Sequence, residues 1–596
     1  MLNKASNSFF YFVVLYSIIG DNMKNKKGFT LVELLAVIAI LAILVIIALP
    51  NVMGMFNSAK KSPFTTELKE IYKVAQQEWM MDSMNTTDDQ VYSRCKTCTG
   101  KSLQLSGRSE LEYYIKVDKS GKVVKYYATD GTYQFSYDGD LLATQINDVE
   151  EIAALDKDDV LVITDGGVVE KTYYISPSGS DSAVGDETHP FLTIGHAISK
   201  LGNKTGNIYI MSDMQFGDTQ YDIKSDVTIL SYGNNKYTVS PRSASEFSSV
   251  FAFKNTEKTN AKVTLQNLII DGKGARGVQT QGADLLLNNV DIKNGNLSDY
   301  SGICFNVSNA NVVLNDTNLS DCHGAVGGAI ELYNATMTMN GGSVNNSSGR
   351  INQASAMSFK KSNVIFNNTK FNGNYSDNNI AFASIDKDSK VVFNSVQASN
   401  TTSHFGGMSV SGELEINNST FDKFIENKGY GTGSVVKIQS GGKVTIKGST
   451  FTNCESNMGL LSASGNTNIT ISDSTFTGNK ANHAGAIYTV SNSKVTIYNT
   501  TFKNNTAFSR YGGTGGAIVS AGTLTLNNCI IENNQADKMI TSERSQGGGL
   551  NINGGVVTLN GGSIKNNTAD VGADIFVSTS GSVVNNGASI GTCSGC

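Results

Sequence analysis

Polar and apolar positions along this chain fall into three regimes. From Phe29 to Leu49 the sequence FTLVELLAVIAILAILVIIAL holds 21 residues with a single charge, Glu33. As a helix rising 1.5 Å per residue it spans roughly 30 Å, the hydrocarbon thickness of a bilayer. Phe64, Leu68, Ile71 and Ala75 then follow at spacings of 4, 3 and 4, one apolar stripe of an amphipathic helix that packs on whatever comes next. Ser62-Pro63 just before them predicts a helix restart. Between Leu103 and Thr164 come short alternating runs, LQL, LEYYIKV, KVVKYYAT, TYQFSY and VLVIT. Turns at Asp118–Gly121 and Asp130-Gly131 divide them, the pattern of a small antiparallel meander.

The third regime is a repeat. A V-x-L/I segment, a short polar turn and an apolar residue followed by Asn-rich sequence recur to the end of the chain. The anchoring apolar residues are Ile292, Leu319, Val344, Phe371, Val396, Phe421, Phe451, Phe476, Phe502, Ile531 and Ile564. A period of about 25 residues that grows only by loop insertion means stacked supersecondary units. Each unit reads as one coil of three short strands, rising about 4.8 Å per coil. The phenylalanines among the anchors predict one continuous apolar column inside the stack. A turn such as Gly433 predicts a site where an inserted loop costs little.

Composition narrows the class. With 47 Lys+Arg against 52 Asp+Glu the net charge is −5, which excludes a strongly basic nucleic-acid-binding protein. Glycine is abundant at 60, yet 5 Pro and no triplet period exclude collagen. Only 5 His are present, and His189, His196, His323, His404 and His483 fall at unrelated phases, as solvated turn residues. The best cluster of opposite charges is Asp271 with Arg276 and, one coil on, Asp291. Asp271-Gly272 is equally an ordinary turn, so no catalytic set and no metal or cofactor site is predicted.

The 8 cysteines are too few for a disulfide-built scaffold. Cys95 and Cys98, and Cys593 and Cys596, form CxxC pairs on exported segments and read first as local disulfides. Cys322 and Cys454 share a phase but stand five coils apart, roughly 24 Å, too far to bridge. Cys304 and Cys529 have other phases and, like them, read as buried thiols.

Before the apolar segment stands MKNKKG, Met23 to Gly28, whose lysines hold that end in the cytoplasm. Gly-Phe-Thr-Leu-Val-Glu-Leu-Leu, Gly28 to Leu35, closely resembles the type IV prepilin leader. The resemblance implies that a prepilin peptidase cuts between Gly28 and Phe29 and that the amine of Phe29 is then methylated. It also implies that Glu33 pairs with the amine of a neighbouring pilin subunit during assembly, which explains a carboxylate kept inside a membrane helix. Pro50 falls at the family's helix-kinking proline. Met1 to Asn22 holds only a 12-residue apolar run, FFYFVVLYSIIG, too short to span, so Met23 is the expected initiator.

Tyr173 to Ser199, with Pro190, Phe191, Thr193 and Ile194, resembles the opening segment of right-handed parallel β-helix proteins of the pectate-lyase-like superfamily. VTLQNLIIDG, Val263 to Gly272, resembles one of their coils. GGAI at Gly327–Ile330 and Gly515–Ile518, AGAI at Ala484–Ile487 and GGGL at Gly547–Leu550 accompany FTGN at Phe476–Asn479 and FKNN at Phe502–Asn505. Together they resemble the GGAI/FxxN repeat of polymorphic outer-membrane and adhesin-like β-helices. Architecture explains that motif without a binding role, with Gly at the corners and Asn in left-handed corners and side-chain ladders.

The expected fold is thus mainly β. A leader (1–28), a pilin helix (29–82, membrane part 29–49) and a small α+β head (83–170) precede a right-handed parallel β-helix (171–596). The expected function is a minor or tip pilin-like surface protein. It is membrane-anchored before assembly and then displays a binding or adhesin module for a glycan or host surface. A pilin-tethered carbohydrate-active lyase or hydrolase, and a pseudopilin of a secretion or DNA-uptake system, are the alternatives.

Overall fold

The computed structural model describes residues 31–596 apart from 84–87, 97, 107–110, 148, 153–160, 162, 165–166, 169–170, 203, 217–219, 243–248, 257–260, 298–302, 350–355, 377–379, 427–432, 510–512 and 541. Contacts divide the chain into two compact units, Met1–Val169 and Glu170–Cys596.

The first unit opens with helix α1, Leu31–Asp82, unbroken through Pro50 and Pro63. The expected restart at Ser62-Pro63 does not occur. Proline deletes one helical hydrogen bond, but the Thr65 and Thr66 hydroxyls donate to the Lys61 and Ser62 carbonyls beside it, at 3.1 and 2.9 Å. Gly28 and Phe29 lie outside the described residues, as does the side chain of Glu33. Of the expected membrane segment only Ala36, Val37, Ile38 and Ile40 have described side chains, all exposed. Among the described residues no helix is long and apolar enough to cross a membrane.

Phe64, Leu68, Ile71 and Ala75 are fully buried against a five-stranded antiparallel meander of β1 (Gln90–Arg94), β2 (Glu112–Val117), β3 (Val123–Thr129), β4 (Tyr133–Asp138) and β5 (Glu150–Glu151). Tyr126 Oη on β3 donates to the Leu68 carbonyl at 3.0 Å, tying sheet to helix. Both expected turns form: the Asp118 carboxylate accepts the Ser120 and Lys122 amides, and Asp130 those of Thr132 and Tyr133. LQL is not a strand. Leu103 is buried instead, and its amide donates to Tyr113 Oη at 2.7 Å. The edge strand is β1, whose sequence QVYSR carries too little alternation to announce itself.

The second unit is a parallel β-solenoid averaging ~27 residues per turn. Three sheets run its length: a first of 16 strands from Lys171–Ile175 to Gly581–Asn586, a second of 19 and a third of 15. Helix α2, Ile194–Leu201, covers the first turn, with Ile194, Ala197 and Leu201 buried. Thr193 caps it by accepting the His196 amide, and Asp181 from the preceding Gly/Ser loop accepts the Leu192 and Thr193 amides at 3.0 and 2.9 Å.

The anchors pair rung by rung in the second sheet, with one exception. Phe371 stands opposite Ala398, and Ala398 opposite Phe421, so Ala398 is the anchor of that turn. Val396 lies two residues earlier, buried at the corner. Alanine leaves a gap in the column, which Phe382, just before strand Ala383–Ile385, and Phe393, in strand Lys390–Asn394, fill. Their rings lie 4.9 and 5.9 Å from Phe371 and 6.4 and 6.3 Å from Phe421. The continuous column is therefore Phe421, Phe451, Phe476 and Phe502, stacked at 5.0, 4.9 and 5.0 Å with rings within 11° of parallel. Phe476→Ala is expected to destabilise the protein by about 3–5 kcal/mol in denaturant titration, because its ring is wholly buried between two others.

Gly433 is not a free turn. It is buried, it leads straight into strand Ser434–Ile438, and a side chain there would clash with the Glu426 carboxylate. Gly441 is the open corner, with nothing within 4 Å of an added Cβ.

Candidate functional site

Among the described residues, sixteen of the twenty-three non-glycine residues at positive φ are asparagines, sited at the corners where the chain passes between sheets. At the ends of the first sheet's strands a second set forms a ladder: Asn315, Asn340, Asn367, Asn394 and Asn417 each donate to the asparagine one turn back, from Asn288 on, at 2.8–3.0 Å. The FxxN asparagines do something else. In the last turns the left-handed residue is the one before, as at Gly478 and Asn504. Asn479, Asn505, Asn534 and Asn567 instead point inward and are almost fully buried.

Each of these donates to the carbonyl of the anchor one turn back, as Asn505 does to Phe476 at 2.9 Å. Each also donates to the next asparagine at 2.9 Å, and the run ends on Asp574. An interior amide must be satisfied, and here every one is satisfied by the turn above or below. In GGAI, Gly515 holds φ +76° and a side chain on Gly516 would collide with the Gly548 carbonyl. Both motifs are thus consumed by architecture.

The cysteines require a correction. Cys304 is disulfide-bonded to Cys322, with Cα atoms 5.6 Å apart. Both sit in the corner between the second and third sheets, in successive turns. Cys304 counts 12 residues from its anchor Ile292, and Cys322 only three from Leu319, because the earlier corner carries extra residues. Counting phase from the anchor therefore hid the pair. Cys95–Cys98 and Cys593–Cys596 are bonded in the structure, with Cα separations of 4.9 and 5.9 Å. Cys454 and Cys529 are free and buried. Burial pushes their thiols up to about 12 and about 11, which leaves them unreactive.

Asp271 and Asp291 do not form a catalytic pair. Asp271 stands opposite Lys293 and Asp291 opposite Ile269 in the ladder. The Asp271 carboxylate accepts from Lys273 N and Asn294 Nδ2, and that of Asp291 from Lys236 Nζ and Asn318 Nδ2. Several carboxylates elsewhere on the solenoid pair with a lysine directly across the ladder, as in Glu413–Lys443, Glu455–Lys480 and Glu532–Lys503. Two histidines depart from the solvated-turn expectation. The His196 ring meets Phe191 edge-on at 4.6 Å, and His323 Nδ1 lies 3.0 Å from Ser348 Oγ. Among the described residues no group of three His, Cys, Asp or Glu side chains could hold a metal ion.

What the sequence did not reveal is a groove of about 430 Å³ near the first turns, on the outer face of the second sheet. Asp213, Gln215, Thr238, Arg242 and Lys273 line it, beside Leu192. Thr238 N donates to Asp213 Oδ1 at 2.8 Å, fixing that wall. Lys273 holds φ +44° at a corner type otherwise dominated by asparagine, which costs a non-glycine residue about 1–2 kcal/mol. The sequence signal was present in Asp-Gly-Lys-Gly, read only as a turn.

Residues 23–49 match the family described as the prokaryotic N-terminal methylation motif, and residues 408–588 that described as right handed beta helix region. The chain therefore joins a type IV prepilin-like methylation motif to a right-handed parallel β-helix. No curated protein matches it. Among solved structures it is similar to tailspike protein 3 of bacteriophage CBA120, at 12% identity over 70% of this chain and 61% of that one, TM-score 0.27. It is also similar to a rhamnogalacturonan lyase, at 12% identity over 63% and 83%, TM-score 0.21. A GH136 lacto-N-biosidase from Eubacterium ramulus matches at 10% identity over 71% and 68%, TM-score 0.21. At such scores these likenesses carry no assignment of activity. The motif implies processing by prepilin peptidase, assembly with other pilins, and passage from a membrane anchor to the surface.

Proposed function

We propose that the protein is a minor or tip subunit of a pilin-like filament whose β-helix is a binding module displayed outside the cell. The observation that carries this reading is the joining, in one chain, of the methylation motif at residues 23–49 to a solenoid whose three sheets hold 16, 19 and 15 strands. A unit of that size is poorly suited to the main repeating subunit, because every neighbour in the filament would have to accommodate it.

The groove is the place where a ligand docks in this reading. Arg242 and Lys273 offer cationic hydrogen-bond donors, and Asp213, Gln215 and Thr238 offer partners for hydroxyl groups. Asp213 is the single carboxylate among the described residues of its lining, whereas glycoside hydrolysis ordinarily takes two, which favours retention of a ligand over its cleavage. The test is a glycan and host-protein array probed with the full chain, followed by Arg242→Ala/Lys273→Ala. Binding reduced at least tenfold in the double variant supports the site. Equal binding by the variant places the ligand elsewhere, and shortened glycan products would replace the adhesin reading with the enzyme reading.

A further inference from the structure

A second site, unrelated to the groove, lies at the corner where strands Gln397–Ser403, Thr420–Glu426 and Ser434–Ile438 meet Glu455–Ser456. Ser403 stands opposite Glu426, and Ile425 opposite Glu455, so three successive turns converge there. Four side-chain oxygens at this corner are buried and make no hydrogen bond: Thr401 Oγ1, Glu426 Oε1, Ser434 Oγ and Ser456 Oγ. Thr401 and Ser434 are 1% and 0% exposed. All four residues line one internal space of about 10 Å³, together with Glu455.

Buried polar groups in a folded protein are paired. Four orphans around a single space large enough for one atom-sized occupant mark a site for that occupant. We propose that this corner binds one hard cation, with calcium as the ion that fits its charge and ligands. All the converging side-chain groups are oxygens, with no nitrogen or sulfur among them, which selects a hard cation over zinc or copper. Glu426 turns one oxygen to the Asn457 amide at 2.8 Å and leaves the other facing the space. A water molecule would satisfy the hydroxyls, whereas a cation would also compensate the charge of the Glu426 carboxylate.

Among the described residues the charged groups facing Glu426 are few. Glu455 shares the space while also reaching Lys480 at 3.7 Å, and Lys437 acts on Glu426 from the third sheet. Glu426 is the buried carboxylate of the site, whereas Glu455 is half exposed. Burial raises the Glu426 carboxyl, opposed by the nearby Lys437. Gly433 permits the arrangement, since any side chain there would occupy the position of the Glu426 carboxylate. Bound calcium would tie three turns together midway along the solenoid.

Full-length protein, stripped with EDTA and returned to chelator-free buffer, tests this by equilibrium dialysis with radioactive calcium and by thermal unfolding with and without the ion. Wild type is expected to bind one calcium per chain and to unfold at a higher temperature in its presence. Glu426→Gln is expected to lose both effects, Ser434→Ala to bind at least tenfold more weakly, and the exposed Glu543→Gln to behave as wild type. If Glu426→Gln fails to fold, Ser434→Ala and Thr401→Val decide the matter on binding alone. No uptake by wild type, or equal uptake by wild type and the corner variants, overturns the proposal and leaves the corner to a water molecule.

Discussion

A chain lacking residues 451–475 is expected to fold and resist protease, whereas one lacking only residues 451–462 is expected to be degraded. The reason is register. Phe451 stands opposite Phe476 and Thr450 opposite Thr475, so removing 25 residues joins Thr450 to Phe476 and restores the same ladder one turn shorter. Phe421 then stacks on Phe476 as it did on Phe451. Each turn contacts only its neighbours, so the loss is close to one turn's share of stability. The shorter deletion joins Thr450 to Ala463, a third-sheet position. At the junction the chain after Thr450 enters the wrong sheet, the buried amide of Asn479 loses the Phe451 carbonyl, and Phe476 cannot take the place of Phe451 on Phe421. The summed penalty exceeds the ~5–15 kcal/mol that holds a typical domain folded. Limited proteolysis with thermal melting of both variants checks this, and equal resistance would show that the register is not what holds the solenoid.

The same ladder shows why sequence reading succeeded in one place and failed in another. Inward positions of a solenoid must be apolar and must recur, so ten of the eleven anchors were legible from spacing alone. The eleventh was missed because its inward residue, Ala398, is small and its volume is supplied by Phe382 and Phe393 from elsewhere in the chain. Pairings that depend on an irregular corner were equally hidden, as with Cys304 and Cys322. Gly433 looked like a turn because glycine usually is one; its actual constraint is the carboxylate packed against it. The groove and the Glu426 corner are each assembled from successive turns tens of residues apart. Their residues are common surface types with no periodicity, and only the stacking of turns brings them together. The leader is the opposite case, a contiguous motif whose chemistry is carried by adjacent residues.

That leader yields the other large effect. Mature protein is expected to begin at Phe29 with a methylated amine, and Gly28→Leu is expected to leave the leader attached, because the peptidase must fit a small residue before the scissile bond. Glu33→Ala should separate cleavage from assembly. Its leader is removed as in wild type, and insertion is unharmed or improved, since taking a carboxylate out of the bilayer interior saves on the order of 2–3 kcal/mol. Incorporation into filaments should nevertheless fall to background. In the proposed pairing the wild-type carboxylate gains its counter-charge only when a neighbour's N-terminal amine arrives, so the cost of burying it is relieved in the filament alone. Removing it deletes that preference for the assembled state. N-terminal sequencing of membrane-extracted protein, with quantification of each variant in sheared filaments, reads the two steps separately. A Glu33→Ala protein that is cleaved and assembles normally would remove the pairing role, while a wild-type chain that keeps its leader would remove the prepilin reading itself.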